Sequence, residues 1–132
     1  MHGPYTFSKR ERLQRGHEFR RVYELGRKVG GSLAVLYVLE APPAGASGPI
    51  SVLPERSATR RVGIVASRRV GGAVRRNRAK RLLREAFRLQ QHRLKENIEL
   101  VLVARSALAG RSLPEAAVAV ERLFAAAGVL VT

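Results

Sequence analysis

The chain has 132 residues and a hydrophobic fraction of 45%, which is typical of a globular protein long enough to bury a core as one domain. It carries 25 Lys and Arg against ten acidic residues, a net charge of +15 that indicates a polyanionic partner: RNA, DNA or an anionic membrane surface. Cysteine is absent, which excludes disulfides and thiolate metal sites. Every acidic residue is Glu, and no dense carboxylate motif is present for a two-metal nuclease, although glutamates distant in sequence could converge.

The N-terminal third predicts a basic arm, a helix and the start of a sheet. Residues 1–15 are polar and basic and predict an extended or partly ordered arm. Phe19, Val22 and Tyr23 lie at i, i+3 and i+4, the apolar stripe of a short helix that Gly26 closes. A short strand is predicted around Val29. The run SLAVLYVLEA that follows is apolar on both faces, as expected for a strand in a sheet covered by helices.

The middle of the chain predicts a loop, a strand and a long helix. Residues 42–60 are rich in Pro, Gly and Ser and predict a surface loop inside a single domain that spans residues 1–132. RVGIVAS predicts the next strand. After Gly71 and Gly72 a helix is expected to run to about Lys95.

The last third predicts one more strand and one more helix. Residues 98–106, IELVLVARS, form the strand, and Ser112 to Glu115 form a capping box that opens an Ala-rich helix. Val120, Leu123 and Phe124 are expected to point inward, and Gly128 to stop this helix. The predicted fold class is α+β, a two-layer sandwich of helices on a sheet.

The long helix contains the stretch RRNRAKRLLREAFR, in which seven of fourteen residues are Arg or Lys. Its apolar side is expected to pack on the sheet, with Phe87 at the margin; this side comprises Ala79, Leu82, Leu83 and Ala86. The opposite side carries a ridge at i, i+4, i+7 and i+11, made of Asn77, Arg81, Arg84 and Arg88. Lys80 and Arg78 flank this ridge, and Arg76 lies near the helix N-terminus, where backbone N–H groups favour phosphate.

Two interpretations of this helix compete. A solvated helix face normally mixes charges of both signs, whereas Glu85 is the only acid between Arg75 and Arg88. Guanidinium groups also suit bidentate phosphate contacts. The pattern therefore favours phosphate binding over simple solvation.

Aromatic residues beside a basic surface are typical of single-stranded RNA binding, because unpaired bases stack on them. Phe19, Tyr23 and Tyr37 are the candidates, with core packing as the alternative for each. The three histidines are isolated in sequence, and no Ser/His/acid order predicts a nucleophile. The sequence therefore predicts no catalytic residue in this chain.

The stretch SRRVGGAVRRNRAKRLLREAF resembles the signature of the bacterial ribonuclease P protein component. Its R-N-R triplet is Arg76, Asn77 and Arg78, with Lys80, Arg81 and Arg84 in the following basic positions. LQRGHEFRRVYELGRKV resembles the first helix of the family, LAVLYVL a sheet strand, and LVLVARS the strand after the basic helix.

The resemblance implies a fold and an activity. It implies three helices, a roughly four-stranded mixed sheet similar to that of a ribosomal-protein domain, and a left-handed crossover between parallel strands, against the usual rule. It also implies a cytoplasmic holoenzyme in which a catalytic RNA, binding Mg²⁺, removes the 5′ leader of precursor tRNA. Neither a membrane nor a small-molecule substrate is expected.

The resemblance also assigns two sets of residues. The set that would contact the RNA subunit consists of Arg76, Asn77, Arg78, Lys80, Arg81 and Arg84, and the helical ridge adds Arg88 to it. The set that would line a cleft for the single-stranded leader consists of Phe19, Tyr23, Tyr37, Arg15 and Arg68. The main alternative is a ribosomal-type RNA-binding protein with no role in cleavage, and a DNA-binding or chromatin-like protein is a further one.

Overall fold

The computed structural model describes residue 13 and residues 16–40 and 60–131. Within these residues the helices are α1 (Gly16–Leu25), α2 (Ala73–Gln90) and α3 (Leu113–Ala127). The strands are β1 (Arg27–Gly30), β2 (Ala34–Glu40), β3 (Arg60–Val65) and β4 (Ile98–Ala104). Short 3₁₀ turns cover Arg68–Val70, Gln91–Arg93 and Ser106–Gly110.

The four strands form one mixed sheet in the order β1-β2-β4-β3. β2 pairs antiparallel with β1 and with β4, and β3 pairs parallel with β4, so α2 is the crossover between two parallel strands. The α+β class, the three helices and the mixed sheet are therefore confirmed. The left hand of the crossover stays a prediction.

Helices cover the two faces of the sheet unequally. α2 and α3 pack on one face and enclose the main core, in which Leu36, Leu83, Leu100, Phe87 and Phe124 are fully buried. On the other face α1 covers a smaller cluster. That cluster consists of Leu13, Val22, Leu39 and Val101, with Phe19, Tyr37, Val65 and Val103 partly buried against it. One face is thus closed, while the α1 face stays partly open.

The predicted inner side of α2 is confirmed, because Ala79, Leu82, Leu83 and Ala86 are all buried. Phe87, which the sequence places at the margin, is fully buried. The predicted end at Lys95 is wrong. The helix ends at Gln90 because the following backbone pairs with the C-terminal segment: Lys95 N donates to Val129 O at 2.8 Å, and Leu94 bridges Leu130.

The predicted boundaries of α3 are confirmed. The Ser112 hydroxyl accepts from the Glu115 backbone N–H, and the Glu115 carboxylate accepts from the Ser112 backbone N–H. At the other end Gly128 has a φ of 73°, a left-handed conformation that glycine adopts without a side-chain clash. Both ends of α3 therefore follow from local sequence.

Parts of the prediction lie outside the described residues. These are the basic arm except Leu13, and the loop over 42–60 except Arg60. Leu13 is buried, and its backbone N–H donates to Val62 O at 2.9 Å, so this residue of the arm lies against β3. Among the described helices none is long and apolar enough to cross a membrane.

Candidate nucleic-acid interface

The outer side of α2 presents cationic and amide groups to solvent. Asn77 and Arg81 are exposed, while Lys80 and Arg84 are half-buried. Among the described residues, no hydrogen bond or ion pair engages the side chain of Arg81 or Lys80. The first turn of α2 contains no acidic residue, and its N-cap Gly72 provides no side-chain cap. The helix therefore offers unsatisfied backbone N–H groups at its N-terminus and free positive charge about two turns further along.

Arg88 differs from the rest of the predicted ridge. Its Nη2 lies 2.8 Å from Glu85 Oε1 and its Nε donates to Glu85 Oε2 at 3.0 Å. The hydrogen bond from Arg88 lowers the pKa of Glu85, and the charges of Arg88 and Arg84 lower it further. The C-terminal end of the ridge is thus partly neutralised.

Arg78 and Arg76 also make contacts that the sequence does not predict. Arg78 Nε donates to the carbonyl oxygen of Ala109 at 2.7 Å, which ties α2 to the 3₁₀ turn after β4. Arg76 is half-buried and its Nε is enclosed, with no hydrogen-bond partner among the described residues. Arg78 is therefore a structural as well as a charged residue, and Arg76 lies at the border between the outer and inner sides.

Three aromatic side chains line the space between α1 and the sheet. The ring of Phe19 lies directly on the backbone of β3, since a Cβ added at Gly63 would be 2.3 Å from Phe19 Cε1. Tyr23 and Tyr37 meet edge to face, with centroids 4.8 Å apart and planes at 78°. Lys28 Nζ lies 5.9 Å from the Tyr37 ring centroid. Burial, with a smaller effect of Tyr37, raises the pKa of Tyr23, so the Tyr23 phenol is neutral at physiological pH.

The structure thus brings Phe19, Tyr23 and Tyr37 together between α1 and the sheet, and their role in binding a leader stays a prediction. Tyr23 is 39% exposed, which leaves part of this surface accessible. Arg68 is exposed in the 3₁₀ turn just after β3. Arg15 lies outside the described residues.

Further arginines lie where the parallel strands β3 and β4 end, a position that the sequence pattern does not predict for them. Arg69 and Arg75 are exposed between β3 and the first turn of α2, and Arg105 is exposed directly after β4. Arg75 Nε donates to Val70 O at 3.1 Å, which folds its side chain back over the turn. The shared position of these arginines could have been predicted only from the pairing of β3 with β4, because neighbouring parallel strands end at the same edge of a sheet. We call Arg69, Arg75 and Arg105 the arginine edge; Arg69 and Arg75 lie between β3 and α2, and Arg105 extends toward β1, with its Nη2 3.8 Å from the Cβ position of Gly30.

Two glutamates distant in sequence do converge, but on arginines. Glu18 of α1 pairs with Arg61 of β3, and Glu99 of β4 accepts from Arg21 of α1 at 2.6 and 2.7 Å. Among the described residues no group of three His, Cys, Asp or Glu could hold a metal ion. His17 and His92 are exposed, and His2 lies outside the described residues.

An α+β sandwich with a cationic helix on one side and an aromatic cleft on the other defines a basic protein of the RNA-binding class. The family model described as Ribonuclease P matches residues 7–128. The ribonuclease P protein component of Clostridium novyi is 37% identical over 121 residues, which cover 92% of this chain and 96% of that protein. The component of Symbiobacterium thermophilum is 39% identical over 119 residues, which cover 90% of this chain and 92% of that protein.

Solved structures agree on the fold. The RNase P protein of Staphylococcus aureus superposes with a TM-score of 0.72 at 22% identity, covering 91% of this chain and 97% of that one. That of Thermotoga maritima superposes with a TM-score of 0.66 at 23% identity, covering 86% and 94%. The chain belongs to the bacterial ribonuclease P protein component family, the protein subunit of the ribonucleoprotein that matures the 5′ end of precursor tRNA. This membership sets aside the ribosomal-type and chromatin-like alternatives.

Proposed function

We propose that the outer side of α2 docks on the catalytic RNA of the holoenzyme. The observation that carries this proposal is the separation of residue types on α2. Its apolar side is buried in the core, while Asn77, Arg81 and Arg84 share the outer side. Arg81, which has no partner among the described residues, keeps its donors for phosphate oxygens, and its planar guanidinium suits a bidentate contact. Lys80, Arg78 and Arg76 extend this surface, and Arg88 contributes less because Glu85 already occupies its guanidinium.

The second part of the proposal concerns the leader. Phe19, Tyr23 and Tyr37 lie together between α1 and the sheet, and unpaired bases stack on aromatic rings of this kind; Arg68 lies in the turn after β3, and Arg15 is placed by sequence just before α1. Arg105, exposed at the arginine edge, joins this set. The edge would carry the nucleic acid from the cleft to the docking side of α2.

The chemistry then belongs to the RNA subunit, in the cytoplasm. The acids described here are spread over the molecule, and the two that come together, Glu18 and Glu99, are engaged by arginines. Mg²⁺ is accordingly proposed to be bound mainly by the RNA. The role of the protein is to neutralise phosphates where leader and catalytic RNA approach each other, which reduces the repulsion between two polyanions.

Salt dependence of binding tests the docking surface. With roughly six phosphates neutralised, log Kd for a bacterial ribonuclease P RNA should change with log salt by a slope of about 4 to 5 in magnitude. The double variant Arg81→Ala, Arg84→Ala should bind more weakly and with a slope smaller by about 1.5 to 2, because two phosphate contacts are lost.

The matched control is Arg27→Ala, an arginine of edge strand β1 that pairs with Glu40 at 2.8 Å, at the opposite edge of the sheet from β3. It lowers the net charge but should leave the slope unchanged. A wild-type slope near 1, or equal slopes for the double variant and the wild type, would refute docking through α2.

A further inference from the structure

The position of α1 decides whether a leader cleft exists at all. α1 carries Phe19 and Tyr23, while the opposing wall, with Tyr37 and Gly63, belongs to the sheet. Hydrophobic packing beneath α1 is small, since only Val22 of this helix is a buried apolar residue. Some other interaction must set the height and tilt of the helix over the sheet.

Four charged side chains supply that interaction. Arg21 Nη2 lies 2.6 and 2.7 Å from the two carboxylate oxygens of Glu99, and the Arg61 guanidinium contacts Glu18 and lies 3.9 Å from Glu99. The Glu18 and Glu99 side chains are only 10% and 7% exposed. α1 contributes one acid and one base, β3 one base and β4 one acid, so the four charges sum to zero.

A buried ion-pair network of this kind fixes the relative position of the elements that it joins more than it adds to net stability. Desolvation offsets much of the attraction between buried charges, but their hydrogen bonds are directional and hold a single arrangement. Glu18 immediately precedes Phe19, and Arg61 lies two residues before Gly63 on the same face of β3. The network therefore acts on the two residues that form the narrowest contact of the cleft.

Gly63 is a further residue that sets the distance between α1 and the sheet. A Cβ at this position would lie 2.3 Å from Cε1 and 2.7 Å from Cζ of Phe19, so only glycine lets the ring rest on the strand. Val101 is the β4 neighbour of Gly63 and Tyr37 the β2 neighbour of Val101. At this level of the sheet the neighbouring residues are glycine on β3, valine on β4 and tyrosine on β2, so the side chains become larger from β3 to β2.

We propose that Glu18, Arg21, Arg61, Glu99 and Gly63 are positioning residues for leader recognition: they fix the distance between α1 and the sheet and thereby the width of the cleft. This inference rests on the proposed leader-binding function. Arg21 and Arg61 are consequently structural cations, not RNA ligands, despite their charge.

The test uses the reconstituted holoenzyme and a charge-neutral variant, Arg21→Gln with Glu99→Gln. Long-range attraction to RNA is unchanged in this variant because the net charge is unchanged. Its affinity for the RNA subunit alone should equal that of the wild type. The ratio of holoenzyme affinities for precursor tRNA with and without a leader should fall about tenfold, the order expected when one stacked base is lost. Gly63→Ala, which alters no charge, should have the same effect.

The matched control is Arg27→Gln with Glu40→Gln, a pair at 2.8 Å on the other face of the sheet. It removes an Arg–Glu pair from a more exposed site without changing the net charge and should leave the leader ratio intact. Because the chain has no cysteine, spin labels at Arg20→Cys and Ser106→Cys report the distance from α1 to the end of β4. This distance should broaden or shift in the network variant and not in the control.

Phe19→Ala separates failure of this inference from failure of the proposed function. If Phe19→Ala lowers the leader ratio while the network variant and Gly63→Ala leave it at the wild-type value, the positioning role is wrong and the leader cleft stands. If Phe19→Ala also leaves the ratio unchanged, the leader cleft itself is wrong. Should the network variant fail to fold, Gly63→Ala decides the question by the same ratio.

Discussion

Arginines on one helix of this protein have different roles because their immediate neighbours differ. Arg81 extends into solvent, Arg78 donates to Ala109 O at 2.7 Å, and Arg88 is held by Glu85. A helical wheel supplies only the angle of each residue, so the sequence placed all three in one set. The distinction depends on the 3₁₀ turn after β4 and on side-chain contacts, which become known only with the fold.

Arg78→Ala and Arg81→Ala are predicted to separate stability from binding. Loss of the Arg78 hydrogen bond should lower the free energy of unfolding by about 1 kcal/mol, since a partly exposed bond to a charged donor is worth that order. Arg81→Ala should leave it within about 0.5 kcal/mol of the wild type. Urea denaturation measures both, and equal stabilities of the two variants would contradict the contact between Arg78 and the turn.

Glu85→Gln is predicted to strengthen binding of the RNA subunit. The substitution removes the one acid between Arg75 and Arg88 and weakens the hold of residue 85 on the Arg88 guanidinium, whose donors can then turn to a phosphate. The gain should be modest, roughly two- to fivefold in Kd at moderate salt, because the pair is solvent-exposed. Filter binding against the wild type measures it; weaker binding by Glu85→Gln would show that Arg88 needs its partner in order to reach the RNA.

At the scale of elements, local patterns were sufficient to predict the helices and most strands. The capping box at Ser112, the αL glycine at 128 and the apolar side of α2 each follow from a few neighbouring residues. The end of α2 was misplaced because it depends on pairing with the C-terminal segment, as in the hydrogen bond from Lys95 N to Val129 O. The network under α1 was missed for the same reason: Arg21 and Glu99 are 78 residues apart.

A fall in pH is predicted to weaken the hydrogen bonds and ion pairs that Glu40 and Glu115 make in β2 and at the start of α3. The pKa of Glu40 is lowered from its ordinary 4.5 first by the hydrogen bond from Arg27, and that of Glu115 first by the Ser112 backbone N–H. A lowered pKa in the folded state means that the stabilisation is present above about pH 4.5 and is lost as the pH falls through the folded-state pKa.

The free energy of unfolding in urea should therefore decrease as the pH falls from about 6 to about 3. Each exposed carboxylate should contribute little on its own. Glu115→Gln, which cannot titrate, should show a shallower decrease than the wild type. A stability that is independent of pH over this range would contradict the assigned contacts.

For the whole molecule, charge and topology act together. A net charge of +15 attracts any polyanion, and the described fold groups part of the exposed cations on the outer side of α2 and at the edge where β3 and β4 end, while Arg20, Arg27 and Arg122 are exposed elsewhere. The charge was evident in the sequence. The arrangement of the charge could be predicted only in part. The cationic side of α2 follows from helical periodicity, whereas the arginine edge depends on β3 and β4 being parallel neighbours.

Cleavage of precursor tRNA at low magnesium tests the central claim that the protein supplies charge and position and the RNA supplies the chemistry. Four reactions are compared: protein alone, a bacterial ribonuclease P RNA alone, the two together, and the RNA with the Arg81→Ala, Arg84→Ala variant. Cleavage is predicted for RNA with wild-type protein at a magnesium concentration where RNA alone is nearly inactive. The variant should need more magnesium, and the protein alone should cleave nothing. Cleavage by RNA-free protein, or an unchanged magnesium requirement on adding it to the RNA, would contradict the account.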